Sequence, residues 1–428
     1  MKNNILILPF LISALLASAL DAQKKTSEKN PAAPFDPPLR AMQISRLEFS
    51  DRAQFGLWLK QLKSAGINTI IVKVFHNPGD GFHQLCQAQA QSGVYFQTDS
   101  APVVCNLTRM MAQEAHKAGL KFYAWMNTRT ADYGLEARTD LHSRYYNIET
   151  RSYQPGRGLC IFHPEVRARL INLYYDLAQN PIDGVLVQDD LILKHNEDFH
   201  PLAVHLYQKE RGKTVWPEKF YQVIETGSGK KLVKDYTPEF WEWTDWKVEK
   251  LLDLADQLRE AVRTRRPGAK FGMNFYYETG LKPEKGKAWF SQDLKIAGAR
   301  NYDFYSLMLY HRQIGQELGI SGKELDSEIE IAGRNFLGMI SRPGEPVIKL
   351  MTRDFAGSEK IPESELEGII KLLPERNRAG LVFFSALPGS EAEIADLIQT
   401  WEKENEDKEI LDSSGGVNGS GRLPREKP

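Results

Sequence analysis

Eight short apolar runs recur along the chain, and each predicts a β-strand. Most are almost continuous stretches of Val, Ile, Leu, Phe and Met without polar alternation, which is typical of strands covered on both faces. The predicted strands are Ala41–Arg46, Asn68–Phe75, Lys121–Thr128, Asp183–Asp190, Lys270–Tyr276, Asp303–Tyr310, Val347–Arg353 and Gly380–Ala386.

Amphipathic stretches separate these strands and predict helices, among them Phe55–Ala65, Asn106–Ala118, Pro164–Ala178 and Thr244–Arg263. Strands that alternate with helices favour parallel pairing through right-handed crossovers. An open doubly wound sheet uses the same alternation, but its glycine-rich phosphate loop is missing after the first strand, where Arg46-Leu47-Glu48-Phe49 stands. We therefore predict an α/β fold, a single-domain (β/α)8 TIM barrel.

The two ends of the chain differ from its centre. Residues 1–22 carry an early lysine, a short apolar run and small residues, which predicts a cleavable signal peptide and a secreted or periplasmic protein; an uncleaved anchor helix is the alternative. Residues 23–38 are predicted to be a disordered linker, residues 39–402 the barrel, and residues 403–428 a disordered tail.

The charge of the chain restricts its possible binding partners, and its cysteines allow one disulfide. Among 428 residues, 55 Lys and Arg balance 56 Asp and Glu, so no bulk attraction to nucleic acid or to an anionic membrane is expected. Export permits disulfides, and Cys86 and Cys105 could staple the loop after the second strand and leave Cys160 unpaired. Three buried, inert thiols are the alternative.

The fourth predicted strand ends in two adjacent carboxylates, Asp189 and Asp190, which are the predicted catalytic residues. Successive strand side chains point in opposite directions, so one acid should face the barrel axis while the other supports it. We expect Asp190 to be the proton donor, because a chitinase-like strand with an Asp-Gly opening places its acid at this offset. Turn capping is the alternative, and with Glu197-Asp198 the pair could also suit a divalent cation, which we rank lower. No metal site or cofactor is predicted.

Aromatic and polar side chains near other strand ends suit a sugar ligand. Aromatic faces can stack on pyranose rings, and amides and charged groups can bind hydroxyls. The predicted substrate-binding residues are Trp125, Asn127, Asn274, Tyr276, Glu278, Trp289, Tyr310 and Arg353. For each aromatic residue, ordinary packing beneath a loop is the alternative.

Several segments in order resemble one family. They are Phe162-His-Pro-Glu-Val-Arg167, Tyr174-Tyr-Asp-Leu-Ala178, Asp183-Gly-Val-Leu-Val-Gln-Asp-Asp190, Ala288-Trp-Phe-Ser-Gln292 and Arg353-Asp354-Phe355. Together they resemble the C-terminal glycoside hydrolase domain of PgaB proteins, which process poly-β-1,6-N-acetylglucosamine. The resemblance implies an endo-acting hydrolase of an exported β-linked GlcNAc/GlcN polymer, with exopolysaccharide export machinery as a candidate partner. We expect a monomer.

The chain departs from that family at two positions. Gln188 replaces a histidine of the strand motif, and Ile314 stands where the family has a glutamate, for which Glu317 or Glu278 could substitute. If the two aspartates act alone, a 2-acetamido group of the substrate could be the internal nucleophile. The family's N-terminal deacetylase domain has no counterpart in these residues, so deacetylation is not expected. The alternatives are a non-catalytic glycan-binding barrel and an unrelated or metal-dependent barrel hydrolase.

Overall fold

The computed structural model describes residues 37–414, apart from residues 228, 342, 355–358, 374–375, 377–378 and 386–387, and it describes residues 403–414 as backbone only. The predicted signal peptide and nearly all of the predicted linker lie outside the described residues.

Eight parallel strands form a closed barrel, which confirms the predicted (β/α)8 fold. The first strand pairs with the second at Ala41 opposite Thr69, and with the last at Arg40 opposite Leu381, so no strand edge is left open. The open doubly wound sheet is thereby ruled out. The barrel strands are β1 (Arg40–Ile44), β2 (Thr69–Lys73), β3 (Lys121–Met126), β4 (Gly184–Val187), β5 (Lys270–Tyr276), β6 (Phe304–Met308), β7 (Glu345–Met351) and β8 (Gly380–Phe384).

Helices surround the barrel and cover the outer face of its strands. They are α1 (Arg52–Ser64), α2 (Thr108–Lys117), α3 (Pro164–Leu177), α4 (Pro201–Arg211), α5 (Pro238–Arg265), α6 (Glu278–Leu281), α7 (Pro283–Phe290), α8 (Leu294–Gly298), α9 (His311–Leu318), α10 (Gly322–Met339), α11 (Glu363–Leu372) and α12 (Glu391–Ser414). The helix α5 begins where the Thr237 side chain caps it, and it buries Trp243 and Trp246 in the core.

Several predicted boundaries differ from those observed. Seven of the eight strands end earlier than predicted on their carboxyl side, whereas β5 ends at Tyr276 as predicted. β4 stops at Val187, so both aspartates lie in the loop beyond it. The helix α12 runs to Ser414 and so includes the first residues of the predicted tail. The segment from Glu391 to Asp412 contains no Gly or Pro and many Glu and Lys residues, which favour helix.

The lower part of the barrel is filled by large rings that rest on glycines. Tyr123 of β3 and Phe304 of β6 approach with ring centroids 5.6 Å apart. A Cβ atom added at Gly184 would lie 2.8 Å from the Tyr123 ring, and one at Gly272 would lie 2.4 Å from the Phe304 ring. The two glycines therefore make room for a packed floor beneath the mouth.

Additional hairpins and one disulfide shape the loops at the mouth. Two-stranded pairs join Phe75–His76 with Gly93–Val94, His142–Asn147 with Ser152–Leu159, and Tyr221–Glu225 with Lys231–Tyr236. Cys86 and Cys105 form a disulfide within the long connection after β2, and Cys160 is a buried free thiol. Of the two sequence-based alternatives, the stapled loop is the one observed.

Within the described residues, no helix combines the length and the apolar character that a membrane crossing requires.

Candidate active site

A cavity of about 310 Å³ opens at the carboxyl ends of the barrel strands, where the catalytic sites of this fold lie. Residues from seven of the eight strands, or from the loops directly after them, contribute to its wall, together with Gln313 of α9. The lining residues are Gln43, Trp125, Gln188, Asp189, Asn274, Tyr276, Tyr277, Met308, Tyr310, Gln313, Lys349 and Phe384.

Asp189 is the carboxylate that lines this cavity among the described residues. The chain leaves β4 at Val187, and the Gln188 amide donates a hydrogen bond to the Met126 carbonyl, which continues the barrel register by one residue. Asp189 then accepts a hydrogen bond of 3.0 Å from the Tyr276 hydroxyl. Burial raises the pKa of Tyr276, so its hydroxyl keeps its proton and remains a donor to Asp189.

Asp190 points away from the cavity and ties β4 to the loop after β3. Its Oδ2 accepts from the Thr130 amide at 2.8 Å and the Thr130 hydroxyl at 2.7 Å, and its Oδ1 accepts from the Thr128 hydroxyl at 2.8 Å. The Thr128 amide lies within 3.0 Å of both oxygens. Burial raises the pKa of Asp190, and these hydrogen bonds oppose the rise. With both oxygens occupied by donors, the geometry favours a supporting role over the predicted proton donation.

Lys349 reaches the cavity from β7, and it is 1% exposed. Its Nζ donates a hydrogen bond of 2.5 Å to Asn274 Oδ1 on β5, across the intervening strand β6. Alternate strands of such a barrel place their inward side chains at the same level, which explains the contact. Burial lowers the pKa of Lys349 to about 7, and the charge of Asp189 opposes this effect.

Aromatic rings form the walls around these polar groups. Trp125 meets Phe384 edge to face at 5.7 Å, and Tyr310 stacks on Phe384 at 6.0 Å. On the opposite side, Tyr276 stacks on Phe290 at 4.1 Å. The rings thus hold each other in place and present fixed apolar surfaces to a ligand.

Several buried polar atoms at the cavity have no hydrogen-bond partner within the part of the chain that the structure describes. They are Gln43 Oε1, Gln188 Oε1 and Trp125 Nε1. Leaving such groups unpaired costs free energy, so they are available to the hydroxyl and amide groups of a ligand.

Of the eight predicted substrate-binding residues, four line the cavity: Trp125, Asn274, Tyr276 and Tyr310. Asn127 is buried beside it, where its Nδ2 donates to the Tyr133 hydroxyl at 2.6 Å. Trp289 lies outside the cavity on α7, is 38% exposed, and has the Lys285 ammonium 5.2 Å from its ring centroid. Arg353 lines a separate, smaller pocket with Lys360 and Glu393.

The two candidate replacements for the missing glutamate also lie outside the cavity lining. Glu278 begins α6, and burial raises its pKa to about 7. Glu317 accepts hydrogen bonds from the Tyr277 hydroxyl at 3.0 Å and from Gln313 Nε2 at 2.7 Å, so it supports two wall residues from behind. Ile314 is buried in α9 and offers no acid.

The sequence reasoning missed Gln43 and Lys349. Each is a polar residue in the interior of a barrel strand, between apolar neighbours: Met-Gln-Ile in β1 and Ile-Lys-Leu in β7. A polar side chain in a strand covered on both faces is a usable signal, because its burial requires a partner or a function.

Among the described residues, no group of three or more His, Cys, Asp or Glu side chains is placed to hold a metal ion.

Known proteins resemble the chain in sequence and in fold. It is 25% identical over 265 residues to the poly-β-1,6-N-acetyl-D-glucosamine N-deacetylases of Escherichia coli K12 and O157:H7, over 58% of this chain and 34% of each relative. The chain thus spans about a third of the length of these curated relatives.

Solved structures share the barrel. The glycoside hydrolase domain of PgaB (BpsB) from Bordetella bronchiseptica superposes with a TM-score of 0.64 at 20% identity, covering 85% of this chain and 97% of that domain. The catalytic domain of a β-amylase from Paenibacillus polymyxa gives a TM-score of 0.56 at 11% identity, with 87% and 99% covered. These likenesses confirm the predicted resemblance and the fold.

The sequence of the chain assigns it to a family. Residues 50–377 match hypothetical glycosyl hydrolase family 13. This match covers most of the 428 residues, so the chain belongs to that family and is a glycoside hydrolase.

Proposed function

We propose that the protein is an endo-acting glycoside hydrolase of an exported amino-sugar polysaccharide, and that Asp189 is its reacting carboxylate. The observation that carries this proposal is the position of Asp189 in the aromatic cavity, where the Tyr276 hydroxyl donates to it. Hydrolysis of a glycosidic bond passes through an oxocarbenium-like state, which a nearby carboxylate stabilises. Water supplies a hydroxyl to the anomeric carbon and a proton to the departing oxygen.

Asp190 has a positioning role in this proposal. Its hydrogen bonds to Thr128 and Thr130 fix the chain immediately after Asp189 to the loop of the neighbouring strand. A reacting group must be held within a fraction of an ångström of its target, and this anchoring restricts where the Asp189 carboxylate can move.

The substrate class is inferred from the relatives together with the cavity. The curated relatives are named for poly-β-1,6-N-acetyl-D-glucosamine, and we extend that polymer to this chain as the proposed substrate. The aromatic walls suit pyranose rings, and the unpaired amide oxygens of Gln43 and Gln188 suit N–H or O–H donors on a sugar. The exposed ring of Trp289 outside the cavity offers a surface for further units of a long chain, which supports endo-acting cleavage.

We further propose that the protein acts outside the cytoplasm. The apolar pattern of residues 1–22 supports export, and so does the Cys86–Cys105 disulfide, because disulfides persist in oxidising compartments. Its partner is then the polymer itself, with the export machinery as a second candidate.

A digestion experiment tests the proposal. The protein beginning at Gln23 is incubated with partly de-N-acetylated β-1,6-glucosamine polymer, and the products are read by mass spectrometry beside the Asp189→Asn variant. We expect discrete oligosaccharides from the unmodified protein and intact polymer from the variant. Release of monosaccharides from chain ends would contradict the endo-acting mode.

One observation favours a second candidate function, a glycan-binding barrel that does not cut. The described cavity lining holds a single carboxylate, whereas most glycosidases use two. The resemblance to PgaB proteins also places Ile314 where those proteins have a glutamate. Polymer that binds to the protein but remains uncut in the digestion experiment would support this candidate.

A further inference from the structure

The cavity contains one ammonium group beside its one carboxylate. Among the charged residues that the structure describes, only Asp189 and Lys349 line it. Lys349 is essentially inaccessible from outside the mouth, at 1% exposure. Burying an ammonium group is costly unless charge or hydrogen bonding compensates, so a lysine is an unfavourable residue for merely filling space here.

The Lys349 ammonium has N–H donors without a partner among the described residues. Within the described residues, its Nζ has one hydrogen-bond partner, Asn274 Oδ1. An ammonium group carries three N–H donors, so two remain available towards the cavity. Asn274 is itself held by its Nδ2, which donates to the Val187 carbonyl at 3.2 Å. The amine is therefore fixed in place and not saturated.

We propose that Lys349 is the second catalytic group of this cavity: it donates a proton to the departing glycosidic oxygen, while Asp189 faces the anomeric carbon. This inference rests on the proposed function above. As the bond between the anomeric carbon and the glycosidic oxygen breaks, one Nζ–H proton moves to that oxygen. The neutral amine then takes a proton from the water that adds to the anomeric carbon, which restores the ammonium group.

Other groups in the cavity fit this assignment poorly. Asp190 is occupied by threonine donors, and Glu278 and Glu317 do not line the cavity. Tyr276 and Tyr310 do line it, but burial raises the pKa of each phenol, so both are weak acids there. Burial lowers the pKa of Lys349 to about 7, where a general acid works well at neutral pH.

The test compares two substrates that differ in their need for a proton donor. One is the β-1,6-glucosamine polymer, and the other is an oligosaccharide with a 2,4-dinitrophenolate leaving group, which departs without protonation. Lys349→Met should cut the polymer at least about 100-fold more slowly and the dinitrophenyl glycoside at a rate within about tenfold of the unmodified protein. The rate on the polymer should also fall above about pH 7 in the unmodified protein, as the ammonium group loses its proton.

Lys270→Met is the control. Lys270 begins β5 at the amino-terminal end of the barrel, where its ammonium pairs with Asp303 at 3.4 Å, away from the cavity. The control should keep both rates within about threefold per folded molecule. Equal losses of Lys349→Met on both substrates, or no loss on the polymer, would overturn the inference while the proposed function stands. If the unmodified protein cuts neither substrate, both fail.

Discussion

At the scale of single residues, two adjacent aspartates have different environments. Asp189 accepts one hydrogen bond, from Tyr276, and faces an open cavity, whereas Asp190 accepts hydrogen bonds from the backbone and hydroxyls of two threonines. The alternation of side chains along a strand predicts that the two acids differ. Which of them faces inward depends on the loop contacts after β4, and these are set by residues far away in sequence.

Replacing Asp190 with Asn should destabilise the fold more than the same change at Asp189. The side-chain amide introduced by Asp190→Asn would place its own N–H hydrogens against the N–H and O–H donors of Thr128 and Thr130. A buried donor left without an acceptor lowers the stability of the fold by about 1–3 kcal/mol. We expect Asp190→Asn to lower the free energy of unfolding by about 2 kcal/mol in urea titrations, and Asp189→Asn to change it by less than about 0.5 kcal/mol. Equal losses in the two variants would contradict the supporting role of Asp190.

The cavity residues show how far single positions could be predicted. Trp125, Asn274, Tyr276 and Tyr310 stand near strand ends, and the barrel rule alone places them at the mouth. Lys349 was missed because its partner Asn274 is 75 residues away, and this contact exists only once β5, β6 and β7 are in register. The hydrophobic pattern of a strand predicts the face on which a side chain lies. It does not predict which side chain of another strand will contact it.

At the scale of elements, the loop after β4 is held by a buried ionic network. Arg129, which follows β3, contacts Glu197 at 3.3 Å, and the Lys247 ammonium donates to the Glu197 carbonyl at 2.6 Å. Arg129 and Glu197 are both less than a tenth exposed. The Glu197 carboxylate, which could have suited a divalent cation, is paired with Arg129. The Asp198 carboxylate accepts hydrogen bonds from the Arg144 and His200 amides.

Arg129→Met should therefore destabilise the protein strongly. Removal of one partner leaves the Glu197 carboxylate buried and uncompensated, and such changes typically cost about 3–5 kcal/mol. Arg211→Met is a suitable control, because its ion pair with Glu249 is largely exposed, and it should leave the unfolding midpoint nearly unchanged. Urea titrations of both variants measure the difference. A loss below about 1 kcal/mol for Arg129→Met would show that the network contributes little.

The loop after β2 gives a second prediction at this scale. The Cys86–Cys105 disulfide joins positions 19 residues apart, and closure of a loop of that length stabilises a folded chain by about 3 kcal/mol, mainly by restricting the unfolded state. The double variant Cys86→Ser/Cys105→Ser should lose about that much in equilibrium unfolding. A reducing agent should lower the stability of the unmodified protein but leave that of the double variant unchanged. Cys160 provides the control, since Cys160→Ala should keep the response to reductant.

Elements were more predictable than their ends. All eight strands were found from apolar runs, because a strand covered on both faces must be apolar nearly throughout. The carboxyl ends of β4, β6 and β8 were placed too late, since apolar and aromatic residues continue into the mouth of the barrel where the ladder has already stopped. The hairpins at the mouth were missed because their strands are short and polar.

At the scale of the whole molecule, closure of the barrel joins residues from both ends of the chain. At the amino-terminal face, Glu345 of β7 accepts a hydrogen bond of 2.9 Å from the Leu39 amide, just before β1. Its second oxygen, Oε2, is buried without a partner among the described residues. Burial raises the pKa of Glu345 from 4.5 to about 7, so the folded protein holds a proton there that the unfolded chain releases.

This proton makes stability depend on pH. Since the folded pKa lies above the unfolded one, the contribution of Glu345 is fully present below about pH 4.5 and is lost as the pH rises through about 7. Glu345→Gln keeps the acceptor for Leu39 and removes the buried charge, so it should stabilise the protein at pH 8 by about 1–3 kcal/mol more than at pH 5. Thermal unfolding at the two pH values measures this. A gain that is the same at both would contradict a protonated Glu345.

The closed topology also explains how one cavity collects its groups. Parallel strands in a barrel bring their carboxyl ends to one mouth, so Gln43, Asp189 and Lys349 meet although they lie far apart in sequence. The fold was predictable because a repeated local pattern defines it. The chemistry of the cavity was harder to predict, because it depends on whether each polar side chain points into the barrel or out of it. A shift of one residue in the register of a strand would reverse that direction.

The central claim is that Asp189 performs the cleavage within this cavity. The most direct test is the rate of polymer cleavage by Asp189→Asn, measured together with its affinity for an oligosaccharide of the same polymer. We predict a rate at least about 1,000-fold below that of the unmodified protein, with binding changed by less than about threefold. A variant that still cuts within about tenfold of the unmodified rate would contradict the claim.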